Sequence, residues 1–238
     1  MLRKTLITSA LAALIIGTSP ILSAGHYDRD ARQHHKPRIV KLKPFGRSAF
    51  RFALIGDTPY NVLPGADYEP FDRLVDDVNA RHGIKWIMHA GDIKGGGTPC
   101  SDAMFQDRLD RYNQFDDALI LTPGDNEWTD CHRVAAGEYQ PLERLARLRE
   151  FFFPEPGQSI GGKLMYTWSQ AFEGYPEFPE NVMWMHNRVT FAAAHIVGSN
   201  NGEKDFDPNS SAVRTEADDA EVVRRTQAAI DWVNSAFD

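Results

Sequence analysis

Three aspartates occupy matching surroundings in this chain. Asp57 lies in Gly56-Asp57-Thr58-Pro59-Tyr60, Asp92 in Gly91-Asp92-Ile93-Lys94-Gly95, and Asp125 in Gly124-Asp125-Asn126-Glu127-Trp128. Each Gly-Asp step closely follows an apolar run: Phe52-Ala53-Leu54-Ile55, Trp86-Ile87-Met88 and Ala118-Leu119-Ile120-Leu121. Three carboxylates in one crevice repel one another and need a cation to offset that repulsion. The chemistry to expect is therefore metal binding through hard oxygen donors. One Gly-Asp after a strand is common, because aspartate caps its own turn. Three in order, at crossover spacing, point to a shared site.

A parallel sheet must position them. Residues 49–55 read as a strand, and 68–82 as a helix with Phe71, Leu74, Val75 and Val78 on one face and Gly83 as its stop. Residues 84–89 form the next strand. Ser101 then N-caps a helix to about 115, with Met104, Phe105, Leu109 and Tyr112 as the buried stripe. The third strand is 118–121, and Pro141 opens a helix through Leu142, Leu145 and Leu148. This βαβαβ alternation implies parallel strands with right-handed crossovers. The carboxyl ends of such strands gather where open α/β sheets bind ligands. Beyond Pro154 and Pro156 the rhythm shortens. Residues 164–168, 182–185 and 189–197 read as strands, with Asn187-Arg188 as a hairpin turn. Residues 198–211 read as a polar loop and 215–237 as a helix, with Ala220, Val223, Ala228, Ile230, Trp232 and Val233 apolar.

The 238 residues, 42% hydrophobic and 25% charged, allow an ordinary packed core. Residues 1–24 differ from the rest: Arg3 and Lys4, an apolar run to Ile16, then small residues to Ala24. That pattern is a secretory signal peptide, with an uncleaved anchor as the alternative. Export places the protein in a periplasmic or secreted setting. Loss of Arg3 and Lys4 takes the formal charge from −7 to −9, which disfavours nucleic acid as a partner. Residues 25–48 read as a basic linker, and 49–238 as the domain. The two cysteines, Cys100 and Cys131, follow the second and third turns. An even count in an exported chain suggests one disulfide tying those loops together. Two thiolate ligands are the alternative, disfavoured because oxygen-rich turns suit harder metals.

The order Gly-Asp, Gly-Asp, Gly-(Asn/Asp)-x-Glu resembles the calcineurin-like metallophosphoesterases from about Phe52 onward. The resemblance implies an α/β fold, a four-layer α/β/β/α sandwich, holding two divalent ions (manganese, iron, magnesium or zinc) and a bridging hydroxide. By position, Asp57 and Asp125 take one ion each and Asp92 bridges. Three departures stand out. The family's usual Asp-x-His has Pro59 at its third position, leaving Tyr60 as the nearest replacement. The usual Gly-Asn-His-(Asp/Glu) is Gly124-Asp125-Asn126-Glu127, so an acid fills the neutral ligand slot and Asn126 the histidine slot; a shifted register would make Asn126 the ligand. The later histidine and Gly-His-x-His turn are absent, so the chain resembles the front half to two thirds of such an enzyme, with a C-terminally incomplete fold.

The expected function is an exported phosphomonoesterase or phosphodiesterase, weak or inactive in this form, acting on a small phosphate ester. The alternative is a non-catalytic exported binding module on the same scaffold. An amide cannot serve as general acid at neutral pH, so Asn126 can only orient or stabilise charge. His132, held near the crevice by the disulfide, is the candidate replacement acid. Lys94 and Tyr60 are candidate contacts for the substrate anion. Gly95-Gly96-Gly97 lets backbone approach a phosphate, or is simply a flexible loop. His195 is a candidate for supporting the site from behind.

Overall fold

The computed structural model describes residues 38–237; the signal-peptide segment 1–24 and most of the linker lie outside them. Three parallel strands, β1 (Arg51–Ile55), β2 (Ile84–His89) and β3 (Ala118–Leu121), stand side by side. A short antiparallel strand, β4 (Ile160–Gly161), borders β3. Helices α1 (Glu69–Ala80), α2 (Asp102–Tyr112) and α3 (Pro141–Phe152) alternate with these strands. α2 starts where its cap predicts: the Ser101 hydroxyl accepts from Met104 N at 3.3 Å.

All four residues of β3 are buried, as a strand covered on both faces requires. Alternate side chains feed two cores. Ile87, Leu119 and Leu121 pack with Phe71, Val75, Phe105, Leu145 and Leu148 from the helices. Trp86, Ala118 and Ile120 pack instead with Val182, Trp184 and Ala193. The latter belong to a second, antiparallel sheet of β5 (Trp168–Ser169), β6 (Val182–His186) and β7 (Val189–Ala193). The long helix Glu216–Ser235 joins this sheet's outer side, where the Gln170 amide donates to Ala228 O at 2.7 Å. The architecture is α/β, with helices, sheet, sheet and helix in layers.

Some boundaries depart from the sequence reading. In place of a strand over 164–168, Leu164 bridges Ile39 and Tyr166 bridges Gln158, and only Trp168–Ser169 pairs with β6. Residues 38–48, read as linker, run along this region: Val40 N donates to Leu164 O, and Lys43 N to His186 Nδ1. Asn187 and Arg188 do turn the β6–β7 hairpin, both with left-handed φ. In the long helix, Arg225 is buried, whereas Val223 and Ile230 stay exposed. No helix among the described residues is long and apolar enough to cross a membrane.

Candidate functional site

Strand register brings the three turns to one edge. Ile55 is paired with His89, and His89 with Leu121, so the chain leaves all three strands in one row. The backbone ties continue outward: Ala90 N donates to Ile55 O, Thr122 N to His89 O, and Asp57 N to Gly91 O. Asp57 and Asp92 both adopt left-handed backbone, with φ of 54° and 58°, a conformation aspartate tolerates better than most residues. The second and third turns touch closely. A Cβ on Gly124 would collide with the Asp92 carboxylate.

Two of the carboxylates act on the third. Burial pushes the Asp92 carboxyl up to about 6, and the charges of Asp125 and Asp57 push the same way. Asn126 N donates to Asp92 Oδ1 at 3.4 Å. The Tyr60 phenol is also raised, first by burial and then by the charges of Asp92, Asp57 and Asp125. These mutually repelling oxygen donors are of the kind a hard divalent cation needs. Among the described residues, however, no three His, Cys, Asp or Glu side chains close around a single ion position. The donor set thus fits a cation in kind and is not arranged as a finished cage.

The other candidates divide into those at the crevice and those beneath it. Asn126 Nδ2 donates to the Tyr60 hydroxyl at 2.9 Å, linking the third turn to the first. Lys94 is fully buried, and its ammonium donates to Gly95 O. Burial lowers it to about 8, against the charges of Glu127, Asp130 and Asp92. Glu127 is equally buried, and its Oε1 accepts from Ile93 N and Gly124 N, which knits the second turn to the third. Burial and the Asp92 charge raise it to about 7. His132 is tied to another loop. Its Nδ1 accepts from Asp207 N, and its ring stacks on Phe206 at 4.6 Å. Cys100 and Cys131 form the disulfide, both fully buried, with Cα atoms 5.8 Å apart.

The sequence offered His195 as a residue behind the site, but the contacts that support the crevice, and residues such as Ser199, Glu180 and Arg225, escaped it. The 198–211 segment contains three successive left-handed residues, Ser199, Asn200 and Asn201, with φ of 51–56°. Such backbone costs roughly 1–2 kcal/mol per residue, so it must be held. The Ser199 hydroxyl lies 2.9 Å from Asp125 Oδ2 and 2.8 Å from Asp130 Oδ1. Arg225 donates to Asn201 O at 2.7 Å. Behind the third turn, Trp128 Nε1 donates to His195 Nε2 at 3.1 Å, and His195 Nδ1 donates to Glu180 Oε1 at 2.7 Å. Arg149 grips the same Glu180 with two nitrogens. Burial alone would raise Glu180; Arg149 and His195 instead hold it at about 2. His89 is likewise committed to structure. Its ring meets Thr58 O, the Tyr112 hydroxyl and Gly91 N, and burial lowers it to about 4. The one available signal was the apolar or polar run around each residue, and that does not announce a partner far along the chain.

Comparison with curated proteins and with solved structures gives no match. A family model, calcineurin-like phosphoesterase, matches residues 50–224. That span contains the parallel sheet, all three turns and the antiparallel sheet. Proteins of this family are metal-dependent phosphoester hydrolases. By sequence and by the arrangement of its turns, the chain belongs to the calcineurin-like phosphoesterases.

Proposed function

We propose that this protein hydrolyses a small phosphate ester with divalent ions held by Asp57, Asp92 and Asp125. One observation carries this reading: parallel strand register sets the three Gly-Asp turns along one sheet edge, with the Asp92 carboxylate packed against Gly124 of the third turn. When bound, the ions would neutralise phosphate charge and acidify a coordinated water. A set rich in carboxylates favours manganese, magnesium or iron, with zinc next. Asp57, Asp92 and Asp125 would hold the ions, with Asp92 between the other two turns. Tyr60 keeps its proton, because its environment raises the phenol. Its oxygen already accepts from Asn126, so its own O–H is free to donate to a phosphate oxygen. Asn126 orients that phenol and supplies no proton. Lys94 acts from below the second turn, offsetting the charges of Glu127 and Asp130. His132 is held in the loop framework by Asp207 and Phe206, and burial lowers its imidazole.

Export is part of the proposal. It is supported by the pattern of residues 1–24 and by a buried disulfide, which persists in oxidising compartments. Turnover is expected to be weak. His89 and His195 spend both ring nitrogens on the fold, so neither is left to protonate a leaving group. That same observation favours the second reading, a metal-dependent binding module. A chromogenic aryl phosphate with added manganese separates the two. Slow hydrolysis that disappears in Asp92→Ala supports the enzyme; no hydrolysis alongside intact manganese binding supports the module.

A further inference from the structure

We propose that the hollow between the turn after β5 and the long helix Glu216–Ser235 binds a quaternary ammonium group. This is a second site, and it does not depend on the phosphoesterase reading: no residue lining it belongs to the three Gly-Asp turns. Its volume is about 440 Å³, within the range of small-molecule sites. Its apolar walls are Trp168 and Met183, which stand opposite each other on β5 and β6, with Tyr175 and Trp232. Trp168 is 58% exposed, so much of its indole is open to a ligand.

Two carboxylates line the same hollow, each tied to one of its aromatic walls. Trp168 Nε1 donates to Glu173 Oε1 at 3.2 Å, and the Tyr175 hydroxyl donates to Asp231 Oδ2. Among the described residues, neither carboxylate makes a salt bridge. The neighbouring cation, Arg224, is paired instead with Glu177 at 2.6 Å and lies over the Tyr175 ring. Glu173 and Asp231 are thus two uncompensated negative charges at an aromatic pocket. The bonds from Tyr175 and Gln227 lower the Asp231 carboxyl and keep it ionised. Donation to a carboxylate also polarises the donor ring, and a cation over an indole or phenol face is attracted by its π electrons. The acceptor capacity here is largely spent. Asp231 accepts from Tyr175 on one oxygen and from Gln227 on the other, and Glu173 accepts from Trp168. The site offers negative charge and aromatic faces but few open acceptors. That combination suits a methylated ammonium, which has no N–H to satisfy, better than a primary amine.

The test is an NMR titration of choline chloride into the full chain at constant ionic strength, following the Trp168 and Trp232 indole N–H signals. Saturable shifts are expected, with a Kd on the order of 1 mM for so small a ligand. The uncharged analogue, in which carbon replaces the ammonium nitrogen, should bind about tenfold more weakly. Glu173→Gln and Asp231→Asn keep the walls and remove one charge each; each should weaken choline about threefold. Trp168→Ala, followed at Trp232, should weaken it about fivefold or more, and Trp168→Phe less. No saturable shift with wild type would overturn the proposal. Equal affinity for the uncharged analogue would do so too, since the hollow would then be merely apolar, as would unchanged choline affinity in both charge variants. Manganese uptake should be the same in Glu173→Gln and Asp231→Asn as in wild type, so a failure of choline binding leaves the phosphoesterase reading standing.

Discussion

The first and third Gly-Asp turns leave the same sheet edge and end in opposite physical states. Asp57 is exposed, and its turn is held by backbone groups, Asp57 N donating to Gly91 O and Thr58 O accepting from His89 and Tyr112, with one side-chain tie from Asn126 to Tyr60. Beyond Asp125, the run Asn126 to His132 is buried throughout. The Asp125 carbonyl accepts from Trp128 N, Asp130 N and the Thr129 hydroxyl. Its carboxylate meets Ser199, Trp128 is anchored on His195, and Cys131 is bonded to Cys100. One wall of the crevice is thus built in advance and the other is left open. Rigidity on one side supplies the positioning, and access on the other admits a substrate.

The comparison yields predictions of decreasing size. Replacing both cysteines by serine should cost about 3–4 kcal/mol by the loop-entropy argument for a 31-residue separation, read from urea unfolding. A loss under 1 kcal/mol would mean the third wall does not depend on its covalent tie. Acid should attack the same wall. Glu180 falls from 4.5 to about 2 on folding, so on acidification the unfolded chain binds that proton first. The stability it contributes is complete above 4.5 and drains as pH drops toward 2, by about 3 kcal/mol. His195, lowered by burial, adds loss in the same direction below its ordinary value of 6.5. Glu180→Gln should therefore be less stable at pH 7 and show a flatter acid limb in melts from pH 7 to 3; an unchanged limb would place the acid sensitivity elsewhere.

Smaller effects discriminate the walls further. Ser199→Ala removes the hydroxyl between Asp125 and Asp130 and should cost about 1–2 kcal/mol in urea unfolding. Asp57→Asn is the opposite case. The exposed first turn should lose no more than about 0.5 kcal/mol in stability, while metal affinity falls. A large destabilisation there would erase the contrast between the two turns.

The legible part of the molecule was the part written locally. Strands β2 and β3, the Ser101 cap and the Pro141 start could be read because apolar periodicity, capping and proline each act within a few residues. The three Gly-Asp turns share one edge because parallel register carries them there. What stayed hidden depends on contacts across the chain. Ser199 lies 74 residues from Asp125, and Trp128 67 from His195. Within the polar loop over 198–211, Asn200, Asn201 and Gly202 are types that accept left-handed backbone, but nothing local names the partners that hold them. Lys94 misled in another way: a lysine after Gly-Asp resembles a surface cation, and only the tertiary fold shows it pinned under the second turn.

A manganese titration of the full chain, followed by the electron paramagnetic resonance signal of the free ion, addresses the shared carboxylate site most directly. The expected result is uptake by the wild type, reduced in Asp57→Ala and Asp125→Ala and abolished in Asp92→Ala, the turn that faces both of the others. Wild-type protein that leaves the free-ion signal untouched, or three alanine variants that bind like wild type, would contradict it.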